Sequence, residues 1–279
     1  MSLIRPLFRP LFRPLMRPLF PGESWTPLSL FSNGEQGAFY LPEPENLFQD
    51  AAGTTPVTAD GDPVGLMLDK SGNGNHASQA NSLRRPIYRT DGVLHWLEGD
   101  GVDDAFLIPG SVASLSFLTD GTGATILMSF DKNWISNPSN ILAGSTFYAG
   151  AASGIDIFLS HDGTRNYRYR HVNPSDGLFD SALLDGAVNL TGPTIFEYRQ
   201  DSGGQVWSTP YIEASAPLTI ESPVNDFRVF AIPGASGPTS TNLISPGLLK
   251  FYGGIMVSKK VDDLSTPRRY LAAKSGVQI

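Results

Sequence analysis

From residue 37 onward, short apolar runs alternate with clusters of Gly, Asn, Asp and Pro. Runs such as LHWLEGDG, ATILMSFD, NILAGSTFYAG, DIFLS, NYRYRHV, TIFEYRQ, QVWSTPYIE, FRVFAIPG and LKFYGGIMVS follow one another with turn formers between them. That spacing predicts an all-β sandwich or jelly roll. Trp96 and Trp207 fall inside apolar strand patterns and are expected in the core. One stretch breaks the pattern. STPRRYLAAKSG (265–276) predicts a helix, with Ser265 or Thr266 as cap, Pro267 in the first turn and Gly276 closing it.

Ahead of the body the pattern is of another kind. IRPLFRPLFRPLMRPLF (4–20) repeats x-Arg-Pro-Leu four times and closes on Phe. Pro6, Pro10, Pro14 and Pro18 forbid a helix and push each preceding Arg toward extended conformations. In an extended chain Arg5, Leu7, Arg9, Leu11, Arg13, Leu15, Arg17 and Leu19 alternate along one face. Phe8, Phe12, Met16 and Phe20 join the prolines on a wholly apolar second face, over a span of about 50 Å. A ribbon of this kind has nothing of its own to bury those side chains against. It is expected to be an anchoring arm that orders in the groove of a partner, and its repeat multiplies weak contacts. A disordered tail and a membrane-active Arg/Pro peptide are the weaker readings. The expected division is arm 1–20, tether 21–36 and one domain 37–279.

The body also carries a family likeness. GAFYLPEPENLFQDAAGTTPVTADGDPVGLMLDKSGNGNHASQ (37–79) resembles the opening segment of concanavalin A-like, laminin G-like jelly-roll proteins encoded by bacteriophages and prophages. RRPIYR (84–89) and LHWLEGDGVDDAFLI (94–108) continue the match, and LLKFYGGIMVSKKVDDLSTPRRYLAAKSGV (248–277) resembles the family's last strand and closing helix. The resemblance implies a concanavalin A-like jelly-roll sandwich in a virion-associated protein, with a surface for glycans. Fold alone does not establish sugar binding.

Composition narrows the classes. The chain of 279 residues has no Cys, which excludes disulfides, thiolate metal sites and Cys nucleophiles. It holds 20 Lys and Arg against 27 Asp and Glu, and four of those arginines sit in the acid-free arm. The body is therefore strongly acidic, which argues against nucleic acid as a partner. No stretch is long and apolar enough for a membrane-spanning helix. Arg and Pro interrupt the N-terminal apolar run as no secretory signal does, so synthesis in the host cytoplasm is expected.

The sequence offers little catalytic chemistry. Glu98, Asp100 and Asp103 in EGDGVD approach the E-x-D-x-x-E of glucanases, but Gly99 and Gly101 make a turn, which would hold paired carboxylates poorly. No nucleophile elbow, zinc-protease or P-loop motif occurs, and His76, His95, His161 and His171 lack ligand spacing. No catalytic residue is assigned. Asp69, Asp100, Asp103 and Asp104 stand in turn-rich segments and are candidate calcium ligands, against the plainer reading that they cap turns. For glycans, Trp134 and the strand RNYRYRHV (165–172) are the candidates. Arg165, Tyr167 and Tyr169 share one face of that strand, and Arg168 and Arg170 the other.

The expected function is a non-enzymatic virion protein, present in multiple copies or as a homo-oligomer. Its arm attaches it to other virion proteins at a tail tip, baseplate or fibre base, and its lectin-like domain meets host-surface polysaccharide or lipopolysaccharide. A capsid decoration protein is the first rival and a polysaccharide depolymerase the second.

Overall fold

The computed structural model describes residues 25–100, 103–118, 120–133, 139–143, 154–161, 165–172, 179–184, 192–209, 212–216, 228–229 and 248–279. In chain order the strands are β1 (Gly37–Tyr40), β2 (Leu47–Phe48), β3 (Leu66–Met67), β4 (Ala77–Ser78), β5 (Ile87–Thr90), β6 (His95–Glu98), β7 (Phe106–Leu107), β8 (Ala124–Asn133), β9 (Ser139–Ala143), β10 (Gly154–His161), β11 (Arg165–Val172), β12 (Phe179–Leu184), β13 (Thr194–Asp201), β14 (Gly204–Thr209), β15 (Ile212–Ala216), β16 (Arg228–Val229) and β17 (Leu248–Val257). Two helices complete the chain: α1 (Ser111–Ser114) and α2 (Ser265–Ser275).

The strands form two antiparallel sheets, as the alternating pattern predicts. The first runs β15-β14-β13-β8-β17-β6-β5, with β1 also paired to β17; the second runs β12-β11-β10-β9-β16-β7-β4-β3-β2. Between them lies a core that includes Tyr40, Leu97, Phe106, Met128, Phe130, Phe196, Tyr198 and Phe251. A second apolar cluster sits on the outer face of the first sheet. There Leu127, Ile195, Ile255 and Val257 meet Leu271 and Ala272 of α2. Covered on both sides, β8 and β17 read as nearly unbroken apolar runs, where a half-solvated strand would alternate.

A bulge in β17 serves this arrangement. Phe251 pairs with Phe130 and Gly253 with Ser129, which leaves Tyr252 as the extra residue. At Gly253, φ is +146° and a Cβ would come within 3.0 Å of Leu41 Cδ2 and the Tyr40 carbonyl oxygen. Only glycine lets α2 and β1 close over this point.

Residues 25–36 are not the tether expected from their composition. A short 3-10 turn (Pro27–Phe31) buries Leu30 and Phe31 in the outer cluster, and Trp25 packs edge-on against Tyr270 at 6.1 Å. The body therefore includes this segment. Lys259 fastens it further with a 2.7 Å bond to Glu35.

The helix stands where predicted, with one change. Gly276 closes it at φ +72°. At its start Leu264, not Ser265 or Thr266, occupies the cap position without a side-chain cap, and Asp263 just ahead of it accepts from the Ser265 amide through Oδ1 at 2.9 Å. On the opposite flank of β1, the turn LDKSGNGNHA seals the strand edge. The Asp69 carboxylate accepts from the amides of Phe39, Ser71 and Asn75, and Asn75 Nδ2 donates to the Gly37 carbonyl at 2.7 Å.

Candidate functional site

Alternation along the first sheet decides what reaches its outer face. Tyr88, Leu97, Phe251 and Phe130 point into the sandwich, so their neighbours Arg89, Trp96, Glu98, Lys250 and Asp131 point out. The register gathers these outward residues at the end of the sheet that lies beyond α2. Arg89 lies opposite Trp96, and Lys250 lies between Glu98 and Asp131. Lys250 Nζ sits 5.1 Å from the centre of the Trp96 ring. Tyr252, freed by the bulge, brings its ring to 6.0 Å from the indole at a 44° tilt. Arg89 Nε donates to Glu98 at 3.2 Å, and Arg89 Nη1 to Asp60 at 3.4 Å.

The electrostatics of this cluster are set by partial burial. Burial raises the Asp131 carboxyl above its usual range, with Lys250 opposing the shift. Burial also pushes the Tyr252 phenol up to about 12, helped by the negative charges of Asp131, Asp91 and Glu98. The phenol is thus a hydroxyl donor at neutral pH. Trp96 Nε1 is buried and has no hydrogen-bond partner among the described residues. The expectation that Trp96 lies in the core is corrected: it is half-buried on the outer face. The signal was present in LHWLE, where Trp96 adjoins Leu97. Adjacent strand residues point to opposite faces, and Leu97 takes the inner one.

The acidic candidates part company. Carboxylate oxygens of Asp100, Asp103 and Asp104 lie within 4.8 Å of one another. Asp104 is 7 % exposed, and its carboxyl is pushed up to about 6 by burial, with Asp100 and Asp103 adding to the shift. Its Oδ2 accepts from the Asp100 amide at 2.8 Å, and Asp103 accepts from Arg84 Nε at 3.1 Å. Three carboxylates suit a hard cation, and these are the residues that would hold calcium; Arg84 already balances one of them. Asp69 is not in this group, because its oxygens are taken by the backbone amides of the sealing turn. The near-miss acids of EGDGVD do not line one strand face either. Glu98 ends β6 against Arg89, and Asp100 and Asp103 fall in the turn that follows.

For the second sheet the backbone register settles which candidates share a face. Tyr167 lies opposite Leu159 and Leu184, and Tyr169 opposite Ile157 and Ala182. Arg168 lies opposite Phe158 and Leu183, and Arg170 opposite Asp156 and Ser181. The strand thus divides its candidates between two faces: Arg165, Tyr167 and Tyr169 fall with an aliphatic set, Arg168 and Arg170 with a more polar one. Trp134 and the arm, from Arg5 to Phe20, lie outside the described residues. No helix among the described residues is long and apolar enough to cross a membrane.

The sequence matches no protein-family model and no curated protein. The fold does have solved counterparts. A structure of botulinum neurotoxin type C, whose cell entry is dependent upon interaction with two ganglioside molecules, aligns with TM-score 0.54 at 10% identity, over 86% of this chain and 52% of that one. The binding domain of botulinum neurotoxin DC in complex with SialylT aligns with TM-score 0.52 at 10% identity, over 87% and 52%. Trypanosoma rangeli sialidase in complex with sialic acid aligns with TM-score 0.53 at 11% identity, over 86% and 33%. The chain therefore spans about half of the toxin chains and a third of the sialidase. At such identities the likeness establishes the architecture, an all-β sandwich closed by a short C-terminal helix.

Proposed function

We propose that this chain is a non-enzymatic, glycan-binding sandwich displayed on a phage particle and held there by its x-Arg-Pro-Leu arm. The observation that carries the glycan half is the fold itself, since sandwiches of this shape occur in proteins captured with sialylated ligands. The particle half rests on sequence. The arm repeats an apolar phrase that has nothing of its own to bury against, and residues 37–79 and 248–277 resemble phage-encoded jelly rolls. Tail tip, baseplate or fibre base is the fitting location, because multiple copies there convert weak sugar contacts into firm attachment. Calcium belongs to the proposal through Asp100, Asp103 and Asp104 alone.

The full chain should bind saccharides on a glycan array and adhere to intact host cells. A chain that ignores both is a decoration protein, and the glycan reading falls. Deleting residues 1–20 should leave a folded domain that no longer joins particles; normal incorporation of the truncated chain would remove the anchoring role.

A further inference from the structure

The polar end of the first sheet's outer face has no assigned role, and it is built unlike the rest of that face. Beneath α2 the aliphatic and aromatic side chains are packed against the helix, and the Glu197 carboxylate there is closed off by Arg268. Beyond α2 the face carries two tilted aromatic rings, a lysine and partly buried carboxylates. A purely structural surface has no need of this mixture. Trp96 stays partly exposed beside the buried Tyr252 ring and so gives up apolar burial, and its indole N–H finds no acceptor among the described residues.

The chemistry selects one class of occupant. A pyranose ring has a C–H face that packs on an aromatic plane and a rim of hydroxyls that both donate and accept. Asp131 and Glu98 supply acceptors for adjacent hydroxyls, while Lys250 and the Tyr252 phenol supply donors. Charge then chooses among sugars. Glu98, Asp131, Asp91 and Asp60 surround the rings, against Lys250 and Arg89. An excess of carboxylates repels a carboxylated or sulfated sugar and leaves a neutral one unaffected.

We infer that Trp96, Lys250 and Tyr252, flanked by Glu98 and Asp131, form a subsite for a neutral hexose on the outer face of the first sheet. It lies on the other sheet of the sandwich from β11. Only the ligand class is borrowed from the proposed function.

The test uses the indole N–H signals of the full chain, which has four tryptophans. Trp96→Phe removes one signal and so assigns it while keeping a ring in place. Glucose, galactose, mannose and N-acetylneuraminic acid are then titrated separately into the millimolar range, where single-sugar contacts saturate. The subsite predicts that a neutral hexose moves the Trp96 signal saturably. Glu98→Gln should weaken that response by roughly tenfold. N-acetylneuraminic acid should leave the signal in place. No shift with any neutral hexose, a shift confined to the other tryptophans, or an equal shift with the acidic sugar each overturns the assignment. If Trp96→Phe keeps full array binding and no hexose moves the Trp96 signal, the subsite falls and the glycan-binding function stands. If the unaltered chain binds nothing on the array, the function itself falls.

Discussion

Two Arg–Glu pairs lie on the outer face of the first sheet, and they live in different surroundings. Under α2, Arg268 grips Glu197 with two bonds of 2.5 and 2.7 Å, and the glutamate side chain is 2 % exposed. Beyond α2, Arg89 makes one 3.2 Å bond to Glu98, with side chains 37 % and 29 % exposed. In the first pair the carboxylate is enclosed, with Leu127, Ile195 and Leu271 close by, and cannot return to water, while Arg268 is itself 36 % exposed. The second stands beside Trp96 and Lys250 and keeps its access to solvent. One face of one sheet therefore serves as a wall where the helix covers it and stays partly open to solvent beyond it. The division follows the footprint of α2, which packs on β8, β17, β13 and β6 and ends at Ser275, turned by Gly276.

The sharpest way to break this contrast is to remove the helical arginine. Arg268→Ala leaves Glu197 buried without its partner and should cost about 3–5 kcal/mol in urea unfolding. Replacing both Arg268 and Glu197 with Met should recover most of that loss, because no charge is then stranded. A single-variant cost no greater than that of Arg89→Ala would show that the two halves do not differ.

Next in size is the packing beneath the helix. Leu271 is fully buried and touches the bulge at Gly253. Leu271→Ala should cost about 2–5 kcal/mol, read from the same denaturation curves. The expected collapse is small, since β8 and β17 behind it are covered on both sides. The Trp96→Ala change on the open half should cost less, because that ring is only partly buried.

Much of this face could be read from the chain, and the unread parts have definite causes. The long apolar runs of β8, β13 and β17 and the Gly276 stop were visible, since strand and helix periods are local properties. The role of residues 25–36 was not. Leu30 and Phe31 sit among Pro and Ser with no period, and only the exposed flank of the β1–β17 pair gives them a place to bury. Tyr252 was hidden by its bulge, because an extra residue shifts strand parity and the sequence does not announce which side the shift favours. Trp96 was legible in principle from Leu97 beside it, but an apolar pair on a strand reads as core until one knows that no helix covers the second face. The Asp69 turn was legible as a turn; that its carboxylate would be used up by backbone amides depends on β1 lying alongside.

Acid separates the halves in another way. Lys259 holds the Glu35 carboxyl down to about 2, below its ordinary 4.5. That pair's stabilisation is complete above pH 4.5 and is lost as the pH falls toward 2. Asp131, on the open half, has a raised value because of burial. Its contribution runs the other way: it is favourable while the carboxyl is protonated, below pH 3.8, and is lost as the pH rises through the raised value. Lys259→Met should therefore flatten the acid limb of a melting-temperature profile between pH 4.5 and 2. Asp131→Asn should raise the melting temperature near neutrality and leave it unchanged near pH 3. Identical profiles for the two variants would contradict the opposed electrostatics of the two ends.

The smallest stability effect belongs to the open pair, and its smallness is the informative part. Arg89→Ala removes a solvent-exposed ion pair and should cost under about 1 kcal/mol, within reach of urea titration only as a slight shift in midpoint. The substitution also strips one of the two cations from a surface already rich in carboxylates, and it leaves Glu98 free to turn. If this end of the sheet exists for packing, Arg89→Ala should be silent in every assay. If it exists to hold a ligand, the same variant should alter the response of the Trp96 signal to a neutral hexose while the unfolding curve barely moves. The covered half cannot behave in this way, because every side chain there that touches function would have to pass through stability first.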